Sequence, residues 1–593
     1  MSVRVADYIA AHLQSIGVKD VFLLSGGGMM HLLDGLGRVE GLKIRCNHHE
    51  QACAFAADAY ARQRAGLGVC YATSGPGATN ILTGLVGAWQ DSTPVLFITG
   101  QSKVSQTIRG TRIPGLRQAG VFEVDIVAMA ESVTKYTAFL DEPAKVRYHL
   151  ERAIHTALHG RPGPVLLDIP LDIQGAPVDP GALEGFPPPE DDAPRDLSAV
   201  DSVLERLEAA QRPLLLGGYG IRCAKAVPAF RALADALGAP VVTTQLGKDV
   251  FPCDHPLFVG HPGPKGDRPG NFALQNADLI LSLGCSLHVL TTGFELEGFA
   301  PNAHKILVDP DPAVLAREHV GVQEKIQCDV GLFARSLHKT IRVPHACEAW
   351  RTRCAQWKNR YAVRNEPHVI TEGPVNFYEF AEVLSQVLKG DETIVTDAGS
   401  AFYVMGQAFR LKGDQRYIVS GSLGSMGFAL PASIGVCAAD PNRMAICVTG
   451  DGSLQTNIHE LETMRLNRMN LKLFVINNDG YVSIRNTQLG FFGGPYFATT
   501  RETGVSMPPL DKLAAAYGLP YIDCANRAGL RAALEECLAA EGPVVCGITA
   551  QEDQQIIPTV SSVRLPNGQM QSKPLHDMFP FMAEDELQAN MRA

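Results

Sequence analysis

The 593-residue sequence contains no run of about 18 uncharged apolar residues, the length that a helix needs to cross a bilayer. It also lacks a basic N-terminal segment followed by a long apolar stretch, so we expect no secretory signal and no membrane partner. None of its 14 cysteines forms a Cys-x-x-Cys pair, the spacing typical of zinc and redox sites. We therefore expect reduced thiols in a cytoplasmic protein, with four cysteines buried in apolar stretches: Cys46, Cys70, Cys437 and Cys447.

An excess of positive charge is also lacking. The chain has 52 Lys and Arg against 62 Asp and Glu, and its formal net charge is −10. This balance excludes a general nucleic-acid binder, whose affinity rests on clustered cations. It does not exclude a small anionic substrate, because the local field of a site can oppose the overall charge.

Short apolar runs separated by helix-length segments are present throughout the chain, for example PVLFITG, PVLLDIP, MAICVTGDGS and LKLFVINNDG. Strands that are apolar on both faces indicate parallel sheets covered by helices. The pattern predicts an α/β protein with three doubly wound parallel-sheet domains. Linkers rich in Pro, Gly and charge suggest domains at residues 1–175, 195–345 and 370–550, followed by a C-terminal tail at 551–593.

Two polar turns follow neighbouring strands of the third domain. Asp451 lies in the first turn and Asn478 in the second, 478 − 451 = 27 positions later. Because a strand–helix–strand unit takes about 30 residues, both turns are expected at one edge of a parallel sheet. A carboxylate from Asp451, an amide oxygen from Asn478 and a carbonyl near Gly480 suit a phosphate-bound Mg²⁺. Two ordinary glycine-rich turns are the alternative.

Gly-Asp-Gly-Ser followed by Asn-Asn resembles the thiamine-diphosphate fingerprint of the acetolactate synthase, pyruvate decarboxylase and pyruvate oxidase superfamily. The resemblance covers nearly the whole chain, in the order pyrimidine-binding, central and diphosphate-binding domain. It implies thiamine diphosphate and Mg²⁺ as cofactors. It also implies a site shared between two subunits, and hence a homodimer or homotetramer.

The resemblance assigns roles to individual residues. Glu50 is expected to hydrogen-bond the aminopyrimidine ring and activate the cofactor, with Gly27 and Gln118 beside it; a solvated glutamate at a helix start is the alternative. Met426 is expected to wedge between the two cofactor rings, unless it only fills the core. The cofactor-binding residues implied by the resemblance are Glu50, Gly75, Asn80, Gly399, Ser400, Gly424, Met426, Gly450, Asp451, Gly452, Ser453, Asn478, Gly480 and Tyr481.

The sequence departs from acetolactate synthases where Leu171 replaces a lysine, Val121-Phe122 replaces a Phe-Gln pair, and the segment after Tyr481 lacks a tryptophan. Segments such as SGGGMMHLLDGLG, CNHHEQA and SKPLHDMFPFM resemble acetolactate-synthase-like enzymes of polysaccharide and branched-sugar (yersiniose-type) biosynthesis. This resemblance implies decarboxylation of a 2-oxoacid such as pyruvate, and transfer of the acyl carbanion to a ketone, aldehyde or 2-oxoacid. The expected substrate residues are Gly28, His31, Phe122, Ser483 and Arg485, although Arg485 is equally well interpreted as a surface arginine.

The central domain contains Leu216-Gly217-Gly218-Tyr219-Gly220 and Leu283-Gly284-Cys285-Ser286, strand ends of the nucleotide-binding type. Related synthases bind FAD there, but this chain has CSLHVLTTG in place of their Arg-Phe-Asp-Asp-Arg stretch. Bound FAD and an empty, vestigial fold therefore both stay open. Two further functions stay open: a flavin-linked 2-oxoacid oxidase and a catalytically inactive scaffold.

Overall fold

The computed structural model describes residues 2–189, 194–318, 320–342, 347–564 and 566–592. It contains three parallel sheets of six strands each, with helices on both faces, which confirms the predicted α/β class with three doubly wound domains. The domain boundaries stay predictions. Parts of both predicted linkers, at residues 190–193 and 343–346, lie outside the described residues.

The first sheet has the spatial strand order 2-1-3-4-6-5, counted along the chain. Its strands in that spatial order are Lys43–Cys46, Asp20–Leu23, Gly68–Ala72, Val95–Gln101, Val165–Pro170 and Tyr136–Phe139. The principal helices around it are Val5–Ser15, Met30–Gly37, Glu50–Arg64, Leu82–Gln90 and Val146–Leu158.

The third sheet has the same order, 2-1-3-4-6-5. Its strands are Arg416–Val419, Thr393–Thr396, Ala445–Gly450, Leu471–Asn477, Val544–Thr549 and Tyr521–Cys524. Its helices are Phe377–Val387, Ser400–Ala408, Ala429–Ala439, Asp451–Gln455, Glu460–Leu466, Val482–Phe492, Leu510–Ala516 and Leu530–Ala539.

The central sheet differs and has the order 3-2-1-4-5-6 of dinucleotide-binding folds. Its strands are Phe258–Gly260, Val241–Thr243, Pro213–Gly217, Leu279–Leu283, His304–Asp309 and Glu324–Gln327. Helices Val200–Ala209, Val227–Leu237, Arg268–Asn276 and Val330–Thr340 belong to it, and helix Glu348–Arg360 leads on towards the third sheet.

The C-terminal segment returns to the central domain. Its strand Thr559–Val560 pairs with Met578–Phe579, and the amide of Val560 donates to the carbonyl of Pro264 at 2.8 Å. Its last helix, Glu584–Met591, lies against helix Glu348–Arg360, where the indole of Trp357 donates to Asn590 at 2.9 Å. The tail therefore anchors a loop of the central sheet at one end and the connecting helix at the other.

The first and third domains pack through helices Glu50–Arg64 and Ala429–Ala439, both of which are almost wholly buried. The approach is close enough that a Cβ at Gly435 would lie 2.0 Å from the carbonyl oxygen of Ala56, so only glycine fits there. A buried ion pair between Arg62 and Asp91, 2.9 Å apart, lies at one end of this contact. Arg62 also donates to the backbone carbonyl of Val419 at 2.8 Å, so this side chain of the first domain bonds directly to the third.

Three of the four cysteines expected in the core are buried, but Cys46 is exposed, so that expectation was wrong at one position. The reason is that Cys46 ends the edge strand Lys43–Cys46, which has a neighbouring strand on one side only. All 14 cysteines are free thiols. Within the described part of the chain, no helix is both long and apolar enough to cross a membrane.

Candidate active site

The sites predicted in the first and third domains coincide with the topological switch points of their sheets. In a 2-1-3-4-6-5 sheet, connections leave strands 1 and 3 in opposite directions, and a crevice opens at their carboxyl ends. In the first sheet this crevice is bordered by residues 24–28 and 73–75, and in the third by residues 397–400 and 451–453. The predicted glycine-rich turns therefore lie where an open α/β sheet binds its ligand.

The turns of the first sheet are in direct contact. The amide of Gly28 donates to the hydroxyl of Thr73 at 3.0 Å, and a Cβ at Gly28 would come within 2.5 Å of the Ser74 hydroxyl. Gly75 has φ +63° and lies beneath Phe122, whose carbonyl oxygen would be 2.7 Å from a Cβ at Gly75. The structure thus brings Gly28, Gly75 and Phe122 to one crevice, although Phe122 itself is two-thirds exposed.

Glu50 is the first residue of helix Glu50–Arg64, and it is buried, with 6% of its surface exposed. The side-chain amide of Asn80 donates to its Oε2 at 2.9 Å. Its Oε1 faces Gly77, where a Cβ would lie 3.3 Å away. These contacts exclude a solvated glutamate and fix the carboxyl group at the edge of the crevice.

Two residues that the sequence did not single out position the Glu50 turn. Glu460, fully buried in the third domain, accepts from the side chain of Asn47 at 2.7 Å and from the amide of His48 at 2.8 Å. Asn457 donates to Gln51 at 3.2 Å. More than 400 residues separate these partners along the chain, so no local pattern could have paired them.

Gln118, Gly27 and His31 are less closely held. Gln118 is exposed and its side-chain amide donates to the carbonyl of Glu123 at 3.4 Å. Gly27 begins a short 3₁₀ turn with open space at its Cα, and the ring of His31 lies against Gly175, 3.1 Å from where a Cβ would stand. Their catalytic and substrate roles stay predictions.

The loop that carries Gln118 and Phe122 is ordered by a buried carboxylate that sequence analysis missed. Glu123 accepts from the backbone amides of Ile108 at 2.5 Å and Ala119 at 2.8 Å. A single glutamate in a loop carries no sequence signal for such a role. Burial of the carboxylate requires these donors, because an unpaired buried charge is costly.

In the third domain, Asp451 is held by the two turns that it connects. Its Oδ1 accepts from the amide of Gly452 at 2.7 Å and its Oδ2 accepts from the amide of Gly480 at 3.1 Å. Burial raises the pKa of Asp451 to about 6, against the opposing effect of these hydrogen bonds. Asn478 is also buried, and its side-chain amide makes no hydrogen bond within the described residues.

Arg485 is buried, and its guanidinium donates to the carbonyl of Asn478 at 2.6 Å. The interpretation as a surface arginine is therefore wrong. The cation holds the turn that contains Asn478 and Gly480, and a direct contact with substrate stays a prediction. The ring of Tyr481 covers the neighbouring Gly452, where a Cβ would lie 2.5 Å from a ring carbon.

The remaining cofactor candidates surround the same crevice. Gly399 has φ +64° and caps helix Ser400–Ala408, and the Ser400 hydroxyl lies 3.1 Å from that of Ser483. Gly424 has φ +68° with open space at its Cα. Met426 is 38% exposed, so it is not a filler of the core. Gly450 ends its strand and Ser453 lies buried in the short helix that follows.

A cavity of about 370 Å³ lies at the switch point of the central sheet, between strands Pro213–Gly217 and Leu279–Leu283. Its lining includes Tyr219, Gly220, Cys285 and Ser286 from the two strand-end motifs. Burial raises the pKa of Asp309, at the end of the next strand, to about 6. The cavity also borders Gly421, the first residue of the segment that carries Gly424 and Met426.

Three family descriptions match the chain in order. They are the N-terminal TPP binding domain of thiamine pyrophosphate enzymes at residues 3–129, the central domain at 200–337 and the C-terminal TPP binding domain at 397–548. Thiamine pyrophosphate is the same compound as thiamine diphosphate. The matched segments contain the three switch points described above, and the central sheet lies wholly within its segment.

Curated relatives extend over almost the whole chain. The acetolactate synthase isozyme 2 large subunit of Escherichia coli K12 is 34% identical over 562 residues, which cover 94% of this chain and 97% of the relative. The acetolactate synthase large subunit of Parasynechococcus marenigrum is 33% identical over 95% of this chain and 90% of its own length. The chloroplastic acetolactate synthase of Arabidopsis thaliana is 29% identical over 94% and 83%.

Motifs, topology and relatives agree on one assignment. The two outer domains match TPP binding domains, and the similarity extends through all three domains. The chain belongs to the thiamine pyrophosphate enzymes and is similar to the acetolactate synthase large subunits.

Proposed function

We propose that this enzyme decarboxylates pyruvate with thiamine diphosphate and Mg²⁺, and transfers the resulting acyl carbanion to a carbonyl acceptor. The observation that carries the proposal is the buried carboxyl of Glu50, held by Asn80 at the switch point of the first sheet. Thiamine diphosphate, when bound, supplies an electron sink for the carbanion. Glu50 holds and exchanges a proton at Oε1 or Oε2 with a nitrogen of the cofactor's pyrimidine ring.

The third domain fits the diphosphate and a magnesium ion. Asp451 offers one buried carboxylate, Asn478 an amide without a hydrogen-bond partner among the described residues, and the turn at Gly480 a carbonyl. No group of three or more His, Cys, Asp or Glu in the described chain is placed to hold a metal. A site with a single carboxylate suits Mg²⁺, which keeps phosphate oxygens and water among its ligands.

The diphosphate itself is proposed to lie at the start of helix Ser400–Ala408, because backbone amides and the helix dipole favour anions there. Gly424 and Gly450 leave open space in which the cofactor approaches the backbone. Met426 presents an exposed side chain on the same segment as Gly424, in keeping with a wedge between the two cofactor rings.

A second copy of the chain is proposed to complete the site, as a homodimer or homotetramer. Exposed apolar side chains include Val121, 72% exposed next to Phe122 of the first crevice, and Phe492, 76% exposed at the end of the helix that follows the Asn478 turn. Apolar surface of this kind is typical of a subunit interface or a substrate channel. A cytoplasmic location is proposed as well, since 14 free thiols suit a reducing compartment.

The central cavity is proposed to hold FAD, and two observations support the fit. Gln245 lines the cavity and its Oε1 is buried without a hydrogen-bond partner, so a ligand donor would satisfy it. Asp309, at the end of strand His304–Asp309, also lines the cavity and offers carboxylate oxygens as acceptors for ligand hydroxyls. The same cavity favours a second function, a flavin-linked 2-oxoacid oxidase.

Turnover of pyruvate by the full-length protein tests these proposals. After removal of bound cofactors, pyruvate consumption and carbon dioxide release are followed with thiamine diphosphate and Mg²⁺ together, and with each omitted. Carboligation predicts acetolactate or acetoin among the products, and a keto-sugar acceptor is the next candidate to supply. Oxygen uptake coupled to pyruvate consumption would favour the oxidase. If no 2-oxoacid is turned over in a cofactor-dependent way, the catalytically inactive scaffold is the remaining function.

A further inference from the structure

A cavity of about 300 Å³ lies apart from both the thiamine site and the central cavity. Loops of the central sheet form one wall, and the segment after helix Glu348–Arg360 forms a second. The third wall comes from helix Phe377–Val387 and the end of helix Ser400–Ala408. None of the residues assigned above to the cofactors or to the substrate lines it.

Two lysines of this cavity bind only neutral groups. Lys248 is fully buried, and its ammonium donates to the carbonyl of Gly406 at 2.8 Å and lies 2.9 Å from Nε2 of His261. The ammonium of Lys358 donates to two backbone carbonyls, those of Cys253 at 3.0 Å and His255 at 3.1 Å. Since an ammonium has three N–H groups, each lysine keeps one donor without a hydrogen-bond partner among the described residues.

Arg410 is the third cation of the cavity. Its guanidinium makes no hydrogen bond or ion pair within the described residues, and its charge acts on both lysines. Burial lowers the pKa of Lys248 to about 8, and Arg410 acts in the same direction. Burial and then Arg410 lower the pKa of Lys358 to about 8. Arg410 therefore destabilises the charged form of both lysines, against the opposing effect of Asp267.

The carboxylates that line the cavity already have partners. Glu379 pairs with Arg527 at 2.8 Å, and Glu382 lies 3.7 Å from Arg364, a fourth cation of the lining. Asp267 caps helix Arg268–Asn276 and accepts from the amide of Gly270 at 2.7 Å. Three cations thus face one carboxylate that already binds backbone amides. Lys248 is the fully buried cation of the three, and buried charge without a counter-ion is costly, so a bound anion would stabilise this arrangement.

We propose that this cavity binds a small organic oxyanion, a phosphate ester or a carboxylate, through Lys248, Lys358 and Arg410. Phe258, Val363 and Phe409 supply apolar wall for the carbon part of such a ligand. One helix connects this cavity with the proposed diphosphate site. Lys248 donates to the carbonyl of Gly406 near the end of helix Ser400–Ala408, and the first turn of the same helix lies at the proposed diphosphate site.

The test uses inorganic phosphate as probe, on full-length protein saturated with thiamine diphosphate and Mg²⁺ so that the diphosphate site is occupied. Phosphate is titrated by calorimetry against sodium chloride of equal ionic strength, and Tm is measured in parallel. We expect one phosphate per chain and a Tm that rises with phosphate concentration, as mass action requires. Malonate in place of phosphate distinguishes a carboxylate ligand from a phosphate ester.

Arg410→Gln is the informative variant, because the side chain is exposed and its loss is not expected to affect folding. We expect its phosphate affinity to fall at least tenfold, and that of Lys358→Met to fall as well. Arg335→Gln, at an exposed arginine of helix Val330–Thr340 outside the cavity, should keep the wild-type affinity. The proposal would be overturned if Arg410→Gln and Lys358→Met bound phosphate and malonate with the same affinity as the wild type. Neither result depends on pyruvate turnover.

Discussion

The two outer sheets share one strand order, 2-1-3-4-6-5, whereas the central sheet has the order 3-2-1-4-5-6. Both orders place a crevice at a switch point, but they place it between different strands. In the outer sheets it opens between strands 1 and 3, where Glu50 and Asp451 lie close by. In the central sheet it opens between strands 1 and 4, where the 370 Å³ cavity lies.

The chemistry of the three crevices differs although the physics that opens them is the same. The first crevice offers a buried carboxyl group, and the third offers a carboxylate, an amide and a helix start. The central crevice offers glycines, a buried amide and an acid at a strand end. Topology thus locates all three crevices, and the side chains at the strand ends decide which chemical groups each of them offers.

The largest effect is expected from removal of the acid in the first crevice. Glu50→Gln keeps the shape and the hydrogen bond from Asn80 but removes proton exchange, so turnover should fall about 10²–10⁴-fold. Steady-state kinetics with pyruvate measure the loss. Glu348→Gln, at the first position of an exposed helix start, is the matched control and should retain full turnover. Wild-type turnover in Glu50→Gln would show that Glu50 in the first crevice takes no part in the reaction.

A smaller effect is expected from a substitution in the third crevice, which should weaken cofactor binding rather than proton transfer. Asp451→Asn removes the charge and one of two acceptors for the amides of Gly452 and Gly480. The affinity for thiamine diphosphate with Mg²⁺ should fall at least about 10-fold, the size of effect seen when metal sites lose supporting groups. Calorimetric titration measures it. Asp511→Asn, in the first turn of helix Leu510–Ala516, should bind as the wild type does.

The central crevice can be perturbed separately. Gly284 has φ +59°, and a Cβ there would lie 2.8 Å from the backbone of Gly220, so Gly284→Ala should destabilise the protein by about 1–3 kcal/mol. Gly298→Ala is the matched control in the same domain, with an ordinary backbone and nothing within 4 Å. Urea denaturation measures both. If Gly284→Ala loses the proposed FAD, measured by flavin absorbance against the wild type, but keeps thiamine affinity, the crevices are independent.

A last effect concerns the pH dependence of stability, and it arises in the interior of the first sheet rather than at its edge. Burial raises the pKa of Asp168 to about 7, against hydrogen bonds from Thr99 and Gln101. The folded state then holds a proton that the unfolded state releases, so stability falls as pH rises from about 4 to 7, by at most about 1.4 kcal/mol per pH unit. In Asp168→Asn this slope should flatten, as Tm measured across that pH range would show. Asp141→Asn, at an exposed aspartate, should leave the slope unchanged.

Much of the site could be predicted because its signals are local. The Gly-Asp-Gly-Ser and Asn-Asn turns each follow an apolar strand, and parallel strands bring their carboxyl ends together. Glu460 could not be predicted in the same way, since its partners Asn47 and His48 lie 413 and 412 residues away. The burial of Arg485 could not be predicted from the sequence either, because it depends on how the side chain packs against the Asn478 turn.

The sequence by itself determined the α/β class, the position of the cofactor turns and the family, because apolar runs and glycine turns are properties of neighbouring residues. Only the tertiary structure decided that the outer sheets share one strand order, that Cys46 is exposed, and that Lys248, Lys358 and Arg410 line one cavity. Strand order, burial and charge pairing depend on packing between segments far apart in the chain. Packing of that kind exists only once the whole chain has folded.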